Sequence, residues 1–132
     1  MKPEELLYAK THEWVHVDPR GGEKVATVGI SSFAVEALTD LVFMELPKVG
    51  RQVKAAESFG EIESVKAVSD LYSPVTGEVV AVNDDLTSHL ERLNEDPYGA
   101  GWMVKIKLSD EAPLRDLMNY EAYQKQIAEE GH

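Results

Sequence analysis

The chain has 132 residues, a length that suits one domain with a real hydrophobic core. Its formal net charge of −11 argues against nucleic acids and anionic membranes as partners, and no apolar run approaches the roughly 20 residues of a membrane span. The absence of cysteine excludes disulfides, thiolate metal sites and a cysteine nucleophile, so any sulfur redox chemistry must come from an attached group.

The N-terminal segment, MKPEELLYAK, has neither the apolar core of a secretory signal nor the composition of a transit peptide. The sequence therefore predicts a cytoplasmic protein, and a mitochondrial location is the alternative for a processed eukaryotic chain. Residues 6–17 are predicted to form one extended strand around Tyr8, Trp14 and Val15.

Residues 12–16 read H-E-W-V-H and match the H-E-x-x-H pattern of zinc proteases. That site needs both histidines on one helix face, whereas this segment is predicted as a strand that leads into a turn at 18–22. On a strand, His12 and His16 would lie roughly 13 Å apart, which is too far for two ligands of one zinc ion. The match is interpreted as a coincidence. The alternative, a hydrolase built on His12, Glu13 and His16, would require stoichiometric zinc.

Short β-rich segments separated by turn residues fill the middle of the chain. Strands are predicted at residues 25–30, 41–46, 68–75, 78–82 and 102–108, and residues 52–56 lead into the hairpin that follows. Ser31 and Ser32 are suitable N-caps for a short helix at 33–38. This pattern predicts a mainly β fold, an antiparallel sandwich or flattened barrel with short helices.

Two further segments have helical spacing. Leucines at 86, 90 and 93 predict a short helix. Residues 110–130 are predicted as a C-terminal helical segment, with Asn119 as a possible cap for its last helix. One face of that helix carries an apolar stripe for docking on the sheet, formed by Tyr120, Tyr123 and Ile127.

One lysine stands out in residues 59–83. Residues 59–65 alternate like a strand and a second extended run starts at Val68, so Lys66 is predicted to lie at or near a hairpin tip. Between Ala55 and Val104, Lys66 and Arg92 are the only lysine or arginine residues, against ten acidic ones. This field disfavours phosphate or nucleic acid at Lys66. From position alone, a solvated surface lysine is the simplest interpretation.

The sequence around this lysine, E-S-V-K-A-V-S-D-L-Y-S-P-V-T-G-E-V-V at 63–80, resembles the lipoyl-attachment segment of glycine cleavage system H proteins. Four more segments resemble the same family in order and with similar spacing: Y-A-K-T-H-E-W-V at 8–15, V-G-I-S-S-F-A-V-E-A-L at 28–38, L-V-F-M-E-L-P-K-V-G at 41–50 and N-E-D-P-Y-G-A-G-W at 94–102. The resemblance covers nearly the whole chain.

The resemblance implies a lipoyl-domain-like fold and a single carrier domain over residues 1–132, with the lysine hairpin at 59–83. It implies a carrier, not an enzyme, with lipoate joined to Lys66 by an amide bond. In the implied cycle, glycine decarboxylase (P protein) loads an aminomethyl group on the arm, and aminomethyltransferase (T protein) passes its carbon to tetrahydrofolate. Dihydrolipoamide dehydrogenase (L protein) then reoxidises the dithiol. The tether raises the local concentration of the intermediate at each site.

The family folds its loaded arm into a surface cleft, and the resemblance places that cleft at Thr11, Glu13 and Asp70. Two carboxylates suit the ammonium of a loaded arm, because charge-assisted hydrogen bonds hold it. Ala37 departs from the pattern, since some relatives carry histidine there and alanine cannot make that polar contact.

Glu63 and Gly50 match positions that the family uses for recognition by lipoate ligase or lipoyltransferase, although a turn alone would explain Gly50 equally well. A relay that passes lipoyl or octanoyl groups to other lipoyl domains fits the same residues. Lipoyl domains of 2-oxo acid dehydrogenases usually show D-K-A and biotin carriers M-K-M, whereas this chain has V-K-A. A scaffold that never carries lipoate would leave Lys66 unmodified.

Overall fold

Two antiparallel sheets organise the chain in the computed structural model, which describes residues 2–18 and 23–130. The larger sheet has the strand order β1 (Leu7–Tyr8), β2 (Glu13–Asp18), β3 (Val25–Ile30), β9 (Val104–Asp110), β8 (Thr76–Val82) and β5 (Gln52–Val53). The smaller sheet has the order β4 (Leu41–Glu45), β6 (Ser58–Ser64) and β7 (Val68–Tyr72). The predicted mainly β class is confirmed, and in the described part of the chain no strand pairing closes the two sheets into a barrel.

In the described residues, four α-helices connect or cover the strands: α1 (Ser32–Leu38), α2 (Asp84–Ser88), α3 (Glu91–Glu95) and α4 (Tyr120–Glu130). Two predicted caps are confirmed. The Ser31 side chain accepts a hydrogen bond from the backbone N–H of Ala34 at 3.3 Å, and Asn119 accepts one from Ala122 at 2.9 Å. Each cap pairs an N–H group that the first turn of a helix cannot satisfy.

The C-terminal segment is less uniformly helical than its pattern predicts. β9 continues to Asp110, a 3-10 turn follows at Ala112–Asp116, and Met118 forms a bridge with Tyr8 before α4 begins. This bridge holds the start of α4 against β1. None of the helices in residues 2–18 and 23–130 is long and apolar enough to cross a bilayer.

The prediction of one strand over residues 6–17 is wrong, because a turn at residues 9–12 separates β1 from β2. The backbone N–H of His12 donates to the carbonyl of Ala9 at 3.0 Å, and that of Ala9 donates to the carbonyl of Glu13 at 2.9 Å. The turn folds β1 back onto β2. Both halves carry apolar residues, so the sequence pattern does not reveal the reversal. The predicted turn at 18–22 lies, from residue 19 onward, outside the described residues.

The main apolar core includes inward-facing side chains of both sheets, among them Val28, Ile62, Leu71, Val79 and Ile106. A second, smaller cluster lies beneath α4 and consists of Leu6, Tyr8, Trp14 and Tyr123. Within it, Trp14 lies against Gly29 of β3, where an added Cβ would be 2.7 Å from the indole ring. The indole N–H donates to the carbonyl of Pro97 at 3.0 Å. These contacts fix β2 immediately after Glu13.

Candidate functional site

Lys66 lies at the tip of the hairpin formed by β6 and β7, which confirms its predicted position. The last paired residues are Glu63 and Val68, and the backbone N–H of Ser64 donates to the carbonyl of Ala67 at 2.8 Å. The Ser64 hydroxyl oxygen also accepts from the N–H groups of Lys66 at 3.3 Å and Ala67 at 3.1 Å. One serine side chain therefore organises the backbone on both sides of the tip.

The lysine side chain projects into solvent. Lys66 is exposed, its neighbour Val65 is 71% exposed, and the tip is braced by a 2.9 Å hydrogen bond from the Val65 N–H to the carbonyl of Asp40. Within residues 2–18 and 23–130, no carboxylate forms an ion pair with the Lys66 amine. Its amine is accessible for reaction.

Glu63 lies in the smaller sheet, whereas Gly50 lies in the connection between β4 and β5, beside β8 of the larger sheet. Glu63 lies three residues before the lysine, between Phe43 of β4 and Val68 of β7, and its side chain is partly exposed. Gly50 follows the far end of β4, where its N–H donates to the carbonyl of Val79 at 2.8 Å. Its φ of 99° favours glycine, so the turn itself accounts for this residue. Only Glu63 is brought close to Lys66.

A cleft of about 220 Å³ lies where the β1–β2 turn, α1 and β7 meet. The three residues predicted to line an arm-binding cleft, Thr11, Glu13 and Asp70, all border it, and so does Ala37. Apolar side chains complete much of the wall, including Ile30, Phe33, Leu38, Ile62 and Leu71. We call this cavity the arm cleft.

Glu13 is the buried acid of the arm cleft. Its side chain is 1% exposed, and its carboxylate accepts hydrogen bonds from the Thr11 hydroxyl and, at 3.2 Å, from the backbone N–H of Tyr72. Burial raises the pKa of Glu13 to about 7, and the two hydrogen bonds partly oppose that rise. Near neutral pH this carboxyl group can therefore exist in either form, and a bound cation would favour the ionised one.

Asp70 is the exposed acid of the same cleft. It pairs with Glu61 across the hairpin, and the Tyr72 hydroxyl donates to its carboxylate over a long 3.5 Å. Two carboxylates, one buried and one solvated, thus face an apolar cavity. This arrangement suits a ligand with a hydrocarbon body and a cationic end.

His12 and Tyr123 belong to the surroundings of the arm cleft, and sequence reasoning does not find them there. The Tyr123 hydroxyl group lies 2.7 Å from His12 Nδ1 and 2.5 Å from Ser31 Oγ. His12 Nε2 lies 3.1 Å from a carboxylate oxygen of Glu130. These partners are 92 to 118 residues apart along the chain, so no local pattern signals them.

The H-E-x-x-H segment is not the single strand that its sequence predicts. His12 lies in the turn and not on the strand, so the strand spacing between His12 and His16 does not apply. Within the part of the chain that the structure describes, no group of three or more His, Cys, Asp or Glu side chains is arranged to hold a metal ion.

A larger cavity, of about 390 Å³, lies on the other side of Thr11. Its walls come from the β1–β2 turn, residues 55–56, residues 72–74 and the 3-10 turn near Pro113. Of the predicted site residues only Thr11 borders it, and neither Glu13 nor Asp70 does. The larger cavity is lined by Asp116 but also by Lys10, whereas the arm cleft is lined by the two carboxylates of Glu13 and Asp70. The arm cleft therefore suits a cationic ligand better, although it is smaller.

Comparison with known proteins decides the family. The model of the glycine cleavage H-protein family matches residues 6–130. The chain belongs to the glycine cleavage H-protein family. Members of this family are the lipoyl carriers of the glycine cleavage system, components of a multienzyme system that are not themselves catalysts, which confirms the predicted function class.

Individual H proteins match the chain from end to end. The H protein of Rhodopirellula baltica is 59% identical over 129 residues, which cover 98% of this chain and 97% of the relative. That of Rubrobacter xylanophilus is 52% identical over 128 residues, covering 97% and 96%. A crystal structure of an H protein from Mycobacterium marinum superposes with a TM-score of 0.83 at 38% identity, over 99% of this chain and 100% of the other. The H-protein fold is shared throughout.

Proposed function

We propose that Lys66 carries lipoate through an amide bond to its side-chain nitrogen, and that residues 1–132 act as one carrier domain. The observation that carries this proposal is the exposed lysine at a hairpin tip, without an ion-pair partner among the described residues. An exposed and unpaired amine can be reached by an activated acyl group without first breaking an ion pair. The small neighbour Ala67 leaves the approach open.

The residues of the arm cleft fit a lipoyl group. Apolar walls from Phe33, Leu38 and Ile62 match a hydrocarbon chain, and the carboxylates of Glu13 and Asp70 match an ammonium group. Asp70 lies four residues beyond Lys66, which corresponds to ~13 Å of extended strand. A lysine side chain extended by a lipoyl group covers a distance of this order, so the arm and the cleft are compatible in length.

Lipoate, when bound, supplies the disulfide that takes up the aminomethyl group and the electrons of glycine cleavage. The chain's own residues hold the cationic end of the loaded arm. A cation near Glu13 favours its ionised form, so docking releases a proton from this carboxyl group to water. Thr11 then keeps the carboxylate oriented by donating its hydroxyl hydrogen.

Partners are proposed from the family's cycle. The arm would visit the P protein, the T protein and the L protein in turn, in the cytoplasm, as expected from the sequence. Lipoate ligase or lipoyltransferase would approach the outer face beside the lysine, where Glu63 provides a carboxylate for a basic partner surface. For Gly50, recognition by that enzyme stays a prediction.

Acylation of the purified chain tests this proposal. With lipoate ligase, ATP and lipoate, the wild-type chain should gain one lipoyl group, located on Lys66 by mass spectrometry of fragments. Lys66→Arg keeps the charge but cannot form a stable amide, so it should gain none. Lys54→Arg, at another exposed lysine, is the matched control and should be modified like the wild type.

Two outcomes would contradict the proposal. One is an adduct on a different lysine, and the other is an unmodified chain with a ligase that modifies another lipoyl protein in the same tube. If Lys66 is acylated as expected, glycine-dependent exchange of CO2 with the P protein that appears only after acylation would establish the pathway.

A further inference from the structure

The hydroxyl group of Tyr123 connects two of the three walls of the arm cleft from behind. It lies 2.7 Å from His12 Nδ1 in the β1–β2 turn and 2.5 Å from Ser31 Oγ at the start of α1. Ser31 strengthens the same junction, because its backbone N–H donates to the carbonyl of His12 at 2.9 Å. Thr11 and Glu13 flank His12, so the two cleft residues of the turn depend on where this histidine is held.

The hydrogen bonds of this junction have a consistent direction when the histidine is neutral. His12 Nε2 faces the carboxylate of Glu130 at 3.1 Å and donates to it, so Nδ1 is the acceptor. Tyr123 then donates to Nδ1 and accepts from the Ser31 hydroxyl. Each polar hydrogen has one acceptor along this series. Loss of the tyrosine oxygen would leave Ser31 and His12 without these partners.

His12 needs such support because of its backbone. Its φ is 79°, a left-handed conformation that side-chain-bearing residues adopt at a cost. Its ring is held on one side by Tyr123 and on another by Phe33, whose ring centroid lies 5.1 Å away. Phe33 itself lines the arm cleft. The turn therefore keeps its shape through contacts made by the histidine ring.

Tyr123 is a rigid anchor for these contacts. It is 1% exposed, and its ring stacks on Tyr8 of β1 with centroids 4.3 Å apart and planes tilted by 10°. A hydroxyl group on such a fixed ring has a fixed position, which a flexible surface side chain could not offer.

We propose that Tyr123 is a positioning residue of the arm cleft: its hydroxyl group sets the geometry of the β1–β2 turn and α1, and so the placement of Thr11 and Glu13. This inference rests on the proposed role of the cleft as the binding site of the loaded arm. It gives α4 a function beyond covering the sheet. It also gives His12, the first residue of the unused H-E-x-x-H pattern, a structural role at that site.

Hydrogen exchange in the unmodified chain provides the first test, because it needs no lipoate. Tyr123→Phe removes only the hydroxyl group. The N–H of Tyr72, which donates to Glu13, should then exchange about tenfold faster, the change expected from loss of one hydrogen bond. The N–H of Ser64 at the hairpin tip should exchange as in the wild type. Tyr120→Phe, in the same helix and outside the arm cleft, is the matched control and should change neither.

His12→Asn provides an independent second variant. Asparagine tolerates the left-handed backbone, so the turn can form, but it lacks the ring that reaches Tyr123. It should reproduce the faster exchange at Tyr72. Unchanged exchange at Tyr72 in both variants would overturn the inference. So would equal acceleration at Tyr72 and Ser64, which would indicate a general loss of stability.

The loaded protein separates this inference from the proposed function. Water converts an exposed aminomethyl thioether into the free thiol, formaldehyde and ammonium, so ammonium release measures how well the arm is protected. Tyr123→Phe should raise the release rate severalfold, while the rate of Lys66 acylation stays at the wild-type value. If wild type and Tyr123→Phe are protected equally, only the positioning role fails. If the wild-type arm is no better protected than free aminomethyl-dihydrolipoamide, the arm cleft itself fails, and the positioning role with it.

Discussion

The hairpin tip at Lys66 and the turn at His12 are held in different ways. The tip is fixed by backbone hydrogen bonds and the Ser64 hydroxyl, and its lysine extends into solvent. The turn also has backbone hydrogen bonds, but in addition it depends on side chains from distant parts of the chain, and the acid beside it is 1% exposed. An attachment point has to be reached by several enzymes, whereas a binding site for a labile group has to exclude water.

The two regions also differ in how they treat acidic side chains. Near the tip, Glu61, Glu63 and Asp70 are at least partly solvated, so their charges cost little and act mainly on approaching partners. At the turn, the carboxyl group of Glu13 is buried, no cationic side chain of residues 2–18 and 23–130 forms an ion pair with it, and its pKa rises to about 7. The acids near the tip can attract partners over a distance. At the turn, the ionised form of Glu13 is desolvated, and a cationic ligand can compensate its charge.

The largest expected effect is the pH dependence of stability caused by Glu13. The native state keeps the Glu13 proton up to about pH 7, whereas the ordinary value for the unfolded chain is 4.5. Between these values the native state binds more protons, so stability falls as pH rises through this window and levels off above it. Glu13→Gln cannot ionise. Its free energy of unfolding should match the wild type near pH 4 and exceed it by on the order of 3 kcal/mol at pH 8.

Urea denaturation of both chains at the two pH values measures this difference. Asp70→Asn is the control at the solvated acid, and it should stay within about 0.5 kcal/mol of the wild type at either pH. If the free energy of unfolding differs between Glu13→Gln and the wild type by the same amount at both pH values, the buried and the solvated carboxyl groups behave alike. That result would contradict the difference between the two regions.

A smaller effect is expected at the turn's histidine. His12→Ala removes the hydrogen bond to Tyr123 and the contact with Glu130, while the backbone keeps its left-handed φ. The free energy of unfolding should fall by about 1–2 kcal/mol. The rate of Lys66 acylation should not change, because in the described part of the chain no hydrogen bond joins the tip to the turn. Denaturation and acylation assays on the same sample decide this, and a parallel drop in both would mean that the two regions are coupled.

The smallest effect is expected at the tip. Ser64→Ala removes the hydroxyl oxygen that accepts from the N–H groups of Lys66 and Ala67. Ser64 is buried, but Lys66 and Ala67 are exposed, so water can bind their N–H groups instead. The free energy of unfolding should fall by about 1 kcal/mol or less. Acylation of Lys66 should slow, because the lysine backbone is less well defined. Protection of a loaded arm, measured by ammonium release, should stay at the wild-type level. A loss of protection would show that the tip also shapes the arm cleft.

The tip is the part of the site that the sequence predicts well. Strand alternation on both sides and a short connection are local signals, and they suffice to place Lys66 at the hairpin tip. The same holds for the caps at Ser31 and Asn119, where a side chain bonds a backbone group three residues away.

The turn shows where sequence reasoning ends. The apolar residues of β1 and β2 look like one strand, because the periodicity does not record a change of direction at Ala9. The position of His12 depends on Tyr123, 111 residues away, and that contact exists only once α4 has docked. The resemblance to the H-protein family points to Thr11, Glu13 and Asp70 but contains no geometry for the residues behind them.

The two carboxylates of the arm cleft have a further consequence for β7, an edge strand of the smaller sheet. A strand at the edge of a sheet offers unpaired backbone groups to strands of other molecules, which is a common start of aggregation. Here the Glu13 carboxylate occupies the N–H of Tyr72, and Asp70 places a charge two residues earlier on the same strand. The acids that suit a cationic ligand therefore also discourage intermolecular strand addition at this edge.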